Sequence, residues 1–199
     1  MPENISVGER IQQPIVDEGE NKTPETGRSN LFGDYLYLIS LAGLIIAADQ
    51  WTKALVRAGL EFQQTWVPWP WLSPYARIIH MHNTGAAFGL FKDFSLVFTF
   101  LAVLVAAAIL YYFPQVPRSD WTLRLAMGLQ LGGALGNLAD RLVRDGQVTD
   151  FISILNFPVF NIADASISTG VVILAIGMWL NERKQRGETL KEQVVDVEL

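Results

Sequence analysis

The sequence contains no cysteine, and its 199 residues include two histidines, His80 and His82. The absence of cysteine excludes a thiol nucleophile, a disulfide framework and a Cys-ligated metal. The two histidines stand in no HExxH pattern, so zinc-protease chemistry lacks its ligands. No metal or cofactor is called for. Basic residues are scattered rather than clustered, which gives no nucleic-acid footprint and no expectation of a nucleic-acid partner. The first thirty residues have neither a basic start nor an apolar core, so they do not read as a signal peptide. The net charge of -5 comes largely from the two ends of the chain and says little about partners.

What the sequence has in quantity is apolar surface. Half of the residues are hydrophobic, and the mean hydropathy is +0.25. Several long uncharged runs point to an integral membrane protein built as one bundle. Residues 1–32, polar and broken by Pro2, Pro14 and Pro24, are expected to be a disordered tail. Residues 33–181 are expected to hold four transmembrane helices, and residues 182–199 a charged cytoplasmic tail.

The first expected span runs from Tyr35 to about Val56. Asp49 and Lys53 lie inside it at i and i+4, an order that favours an ion pair on one face. Arg57 to about Gly89 is not a span. Its Trp66, Trp69 and Trp71, with Pro68 and Pro70 between them, suit a segment at the lipid headgroups. Alternation around Arg77 to Met81 predicts a short strand, and Asn83-Thr84-Gly85 predicts a turn. Phe94 to Phe113 is a charge-free second span, ended by Pro114 and Pro117. Trp121 to about Leu138 is the third, with Gly128, Gly132 and Gly136 spaced to let helix backbones approach. Arg124, one turn in, is expected to snorkel to water. Asp140 to Val159 reads as a connector, and Phe160 to Leu180 as the fourth span. The fold class expected is thus an all-α membrane protein of four helices. A small extracytoplasmic β-rich or interfacial segment lies between helices 1 and 2.

Four spans put both ends on one side. The Lys and Arg bias between loops favours cytoplasmic termini. In that topology Asp49, Lys53, Asn83, Asn137, Asp140, Arg141, Asp150, Asn161 and Asp164 all gather at the outer face, with no acid expected at the inner one. Acids at the edges of apolar runs cost roughly 2.5–3.5 kcal/mol each at a bilayer centre, so a function is the default expectation. Two carboxylates held close share a proton. One then serves as base to a water, and the other polarises a carbonyl. That is aspartic peptide hydrolysis. Asp150 and Asp164 are the candidate pair, although Asp164 as a helix cap and Asp150 as a loop residue remain open. A proton or cation path through Asp49, Asp140 and Asp164 is the rival from another class. A non-catalytic assembly factor is a further one.

The runs DQWTK, NTGAAFGLF, GNLADRL, VTDFI and FNIADASI, in this order, resemble those of lipoprotein signal peptidase, also called signal peptidase II. The likeness extends from about residue 35 to 180. It implies a bacterial inner-membrane aspartic protease that cuts prolipoproteins just before a diacylglyceryl-modified cysteine. It implies Asp150 and Asp164 as the catalytic pair. Asn83, Gly133, Asn137, Asp140, Arg141 and Asn161 would line or support the site, and Asp49 and Lys53 would hold the first helix in place. Membrane lipids and the cyclic peptide globomycin are implied partners. One departure stands out: DRLVRDGQVTDF is one residue longer than the family pattern between Asp140 and Asp150, and it adds Asp145.

Overall fold

The computed structural model describes residues 30–83 and 95–197. The expected tail up to residue 29, the Thr84-Gly85 part of the turn and the rest of NTGAAFGLF lie outside the described residues. Four helices carry the molecule: α1 (Leu31–Gly59), α2 (Ser95–Tyr112), α3 (Trp121–Val143) and α4 (Ile162–Val197). Three strands complete it: β1 (Thr65–Trp66), β2 (Ala76–Asn83) and β3 (Val148–Ile154).

Side-chain caps start two of the helices. Asn30 accepts from the Gly33 N–H at 3.1 Å, and Asp120 from the Leu123 N–H at 3.0 Å. Each satisfies one of the amides a helix leaves open at its N-terminus. Helix α3 packs against all three other helices. Leu38 and Ala42 of α1, Ala106 and Ile109 of α2, Phe113 of the 3-10 turn that follows α2 and Leu131 of α3 form the apolar core.

Among the described residues, three helices are long and apolar enough to cross a membrane: α1, α2 with its 3-10 extension to Gln115, and α4 up to Arg183. Helix α3, the third expected span, has the length but not the hydropathy. The reason is its position. Surrounded by the others, it buries Arg124, Asn137 and Asp140 beside its glycines instead of offering an apolar exterior. Helix α2 is the opposite case, with Leu96, Phe100 and Leu104 directed outward.

The sheet corrects the expected order of elements. It is antiparallel, β1-β2-β3, and its third strand comes from between α3 and α4 rather than between α1 and α2. The register runs from Ala76 opposite Ile154 to Asn83 opposite Val148, with an irregularity between Ile78 and Met81. Two further bounds differ. Helix α3 continues past Leu138 through Asp140 and Arg141, so these sit in its last turn and not in a connector. Helix α4 continues to Val197, so the charged C-terminal stretch is helical.

The other end of the bundle holds a second correction. Arg124 does not reach back to water. It is buried, donates to Asp34 Oδ1 at 2.8 Å and lies over the Phe113 ring at 4.3 Å. Arg118 donates to the same oxygen at 3.0 Å. An acid therefore does exist at that end, where none was expected.

Candidate active site

Asp150 lies on β3 and Asp164 in the first turn of α4, and a short return of the chain brings them together. The N–H groups of Phe151 and Ile152 both donate to the Phe160 carbonyl, at 3.0 and 2.8 Å, and the Phe160 N–H donates back to Ile152 at 3.0 Å. Asn161 is thereby set beside Asp150. Asn161 and Asp164 cap α4 reciprocally. The Asp164 N–H donates to Asn161 Oδ1 at 2.9 Å, and the Asn161 N–H donates to Asp164 Oδ2 at 3.2 Å. This is a capping box, with the carboxylate at the positive end of the helix dipole.

The amides between the two acids are oriented by groups that can only donate. Asn161 Oδ1 is taken by a helix N–H, so its Nδ2 points the other way. It donates to Asp150 Oδ1 at 2.7 Å and to Asn137 Oδ1 at 3.0 Å. Asn137 Oδ1 also accepts from Lys53 Nζ at 3.0 Å, so Asn137 Nδ2 is turned to Asp164 Oδ1, 2.7 Å away. An ammonium has three donors and no acceptor, which settles the amide's direction. Asn83, at the end of β2, donates to Asp150 Oδ2 at 2.8 Å.

Behind this layer lies a second, ionic one. Lys53 pairs with Asp49 at 2.8 Å, the i,i+4 pair expected from sequence, and with Asp140 at 3.3 Å. All three are fully buried. Asp49 Oδ1 accepts from the Ala163 N–H at 3.0 Å, tying α1 to the start of α4. Asp140 Oδ2 accepts from the Thr149 N–H at 2.9 Å, tying α3 to β3 one residue before Asp150. Arg57 donates to Thr149 Oγ1 at 3.0 Å and stands 3.8 Å from Asp140. Sequence reasoning missed Arg57, Thr149 and Gln50, whose amide donates to the Gly136 carbonyl at 3.0 Å. The signal for Arg57 was present: Asp49, Lys53 and Arg57 recur every four residues on one helix face.

Two glycines permit these approaches. A Cβ on Gly136 would meet Asp49 Oδ2 at 2.9 Å, and one on Gly133 would meet the Ala163 carbonyl oxygen at 2.5 Å. Gly133 therefore supports the site by letting α4 close on α3 and offers no polar group to it. Asp145 stands outside the cluster, exposed in a turn with φ of 52°, followed by Gly146 at 80°. Asp150 follows on β3.

Asp150 is 2% exposed. Its burial, and then the negative charge of Asp164 nearby, push its carboxyl up to about 7, against the pull of Asn83 and Asn161. A cavity of about 480 Å³ opens from Asp164 between α2, α3 and α4, with Asp150 behind its wall. Asn83, Asn137, Arg141 and Asp164 line its polar end, and Phe98, Leu101, Val105, Ile167 and Val171 its apolar walls. The Arg141 guanidinium lies over the Phe98 ring at 5.6 Å. No three His, Asp or Glu side chains among the described residues group as metal ligands.

Comparison with known proteins gives the family. The model of the signal peptidase (SPase) II family matches residues 41–180. The lipoprotein signal peptidase of Bacillus subtilis (strain 168) is 40% identical over 156 residues, covering 76% of this chain and 97% of the relative. That of Moorella thermoacetica is 40% identical over 148 residues, covering 74% and 96%. A bacterial membrane enzyme solved by the in meso method at 2.3 Å superposes with a TM-score of 0.66 at 28% identity, over 73% of this chain and 88% of that one. A second, at 1.9 Å, gives 0.63 at 29% identity, over 71% and 91%. The chain belongs to the signal peptidase II family, a family of bacterial membrane peptidases.

Proposed function

We propose that this protein is an intramembrane aspartic endopeptidase, with Asp150 and Asp164 as its catalytic pair. In this reading it removes signal peptides from diacylglyceryl-modified prolipoproteins, cutting just before the lipidated cysteine. The observation that carries it is the pair itself: two acids bridged by Asn137 and Asn161, with Asp164 at the polar end of an apolar cavity.

Asp150, whose burial favours the neutral form, holds the proton. Asp164, at the start of α4, is the base. Asp164 takes a proton from water as the water oxygen bonds to the scissile carbonyl carbon, while Asp150 gives its proton to the carbonyl oxygen. Asp164 then passes its proton to the leaving nitrogen as the C–N bond breaks, and a hydroxyl of the tetrahedral carbon returns a proton to Asp150. Atoms and charge balance, and water is the one co-reactant.

Helix α3 is the fourth span in this reading, carried inside the other three. Both termini are cytoplasmic, and the pair faces the outer surface of the inner membrane. A lipid-anchored substrate enters sideways through the apolar mouth of the cavity. The exposed Trp66, Trp69 and Trp71, two of them stacked at 6.2 Å, sit at the headgroup level. Globomycin would compete for the same cavity. A proton path remains the weaker reading, because the inner-end Asp34 is held by two guanidiniums.

The test is cleavage of a diacylglyceryl-modified prolipoprotein peptide by purified protein in detergent, comparing Asp150→Asn, Asp164→Asn and Asp145→Asn. Loss in the first two, folded as wild type, supports the pair. An inert wild type, or loss in Asp145→Asn instead, overturns it.

A further inference from the structure

Gln130 is a polar residue with nothing to do in the network above. It lies on α3 two turns below Asn137 and lines the same cavity. The same cavity is lined by the apolar Ala134, Leu101, Val105 and Ile167. Among the described residues its amide has no side-chain hydrogen bond, although it is half-buried. On α4, Gly170 packs against it: a Cβ there would meet Gln130 Cγ at 3.1 Å. An amide in the middle of a span can reach neither surface. Left without a partner in hydrocarbon it costs several kcal/mol by transfer scales, roughly 2–7.

The cavity's expected occupant has the missing partner. A helical segment crossing a membrane satisfies its own backbone, but a helix cannot be cut until its end is unwound. Unwinding leaves up to about four carbonyls of the last turn unpaired, in a medium where irregular backbone must be satisfied by protein. Seven residues separate Gln130 from Asn137, about 10 Å along α3 at 1.5 Å per residue. An extended chain covers that distance in about three residues at 3.3 Å each.

We propose that the Gln130 carboxamide donates to a backbone carbonyl of the bound signal segment, about three residues ahead of the cleaved bond, capping the helical part of the substrate where it unwinds. Gln130 is thus a specificity-determining residue that reads backbone conformation rather than a side chain. The inference rests on the proposed peptidase reading.

The experiment compares wild type with Gln130→Leu and the straight-chain Gln130→Met, in detergent, on a diacylglyceryl-modified prolipoprotein peptide. A second peptide series carries a backbone ester in place of one amide at each of the second to fifth positions before the cleaved bond, which weakens one carbonyl acceptor at a time. The expected result is a loss of about tenfold in kcat/KM for both variants, mostly in KM, the size of one buried hydrogen bond. One ester position should cost wild type a similar factor and cost the variants nothing further. Unchanged cleavage in both variants overturns the proposal. So does an ester penalty of equal size in wild type and variants, since it places that carbonyl on another donor. Failure of wild type to cut any lipidated peptide overturns the peptidase reading instead, and the inference falls with it. Unfolding temperatures equal to wild type show that the loss is not one of fold.

Discussion

The two ends of the bundle use the same residue types to opposite effect. At one end Asp34 meets Arg118 and Arg124, with Arg124 stacked over Phe113. One acid faces two cations. At the other end Asp150 and Asp164 are held by amides, from Asn83, Asn137, Asn161 and the α4 backbone. The cations stand a layer back, on Asp49 and Asp140. Among the described residues no Lys or Arg nitrogen comes within ion-pair distance of either catalytic candidate. A guanidinium beside a carboxylate fixes its charge, whereas a neutral amide fixes its position and leaves the proton free to move. The first end is a clamp, and the second has the character of a site.

Exchange of these roles gives the largest expected effect. Asp164→Asn or Asp150→Asn should abolish cleavage, by about 10³-fold or more as acid–base participants, with the fold retained in a thermal melt. Asp34→Asn should do the reverse. It leaves the buried Arg124 short of a charge and lowers stability by about 3 kcal/mol, while turnover per folded molecule is unchanged. A dead but stable Asp34→Asn would end the distinction between the ends.

A subtler division lies in pH. Asp150 is raised in the folded state to about 7. A carboxyl so raised binds its proton more tightly folded than unfolded, so the stability it contributes is full below its unfolded value of about 4. That contribution is lost as pH rises through about 7. The unfolding temperature of wild type should fall between about pH 5 and pH 8, and less so in Asp150→Asn; equal falls would acquit Asp150. In the assay, kcat/KM should decline above about pH 7. The smallest effect is expected for Asp145→Asn, exposed in its turn: turnover and melting within error of wild type.

Much of this was legible because it was periodic or local. The apolar runs placed α1, α2 and α4, and the i,i+4 spacing of Asp49 and Lys53 gave their pairing. The alternation of β2, half-buried on one side, was readable as a strand. Strand β3 was not, because Val148 to Phe151 are buried on both faces and show no period of two. Asp34 was missed for another reason. It sits just outside the apolar run, and its partner Arg124 is 90 positions away, with no local signal joining them. The candidate acids came from motif resemblance, but the bridging of Asn137 and Asn161 between them is a property of the packed helices alone.

Helix α3 is, taken singly, the one a bilayer would accept least. Arg124 and Asp140 lie in its first and last turns, where an unanswered charge costs less than the roughly 2.5–3.5 kcal/mol of a helix centre but still opposes insertion. Both are answered from α1, by Asp34 at one end and Lys53 at the other. Helix α1 therefore carries countercharges for α3. Lys53 already has Asp49 within α1, whereas among the described residues Arg124 and Asp140 have no acid or base on α3 to answer them at these distances. Helix α3 thus depends on α1 more than α1 depends on α3.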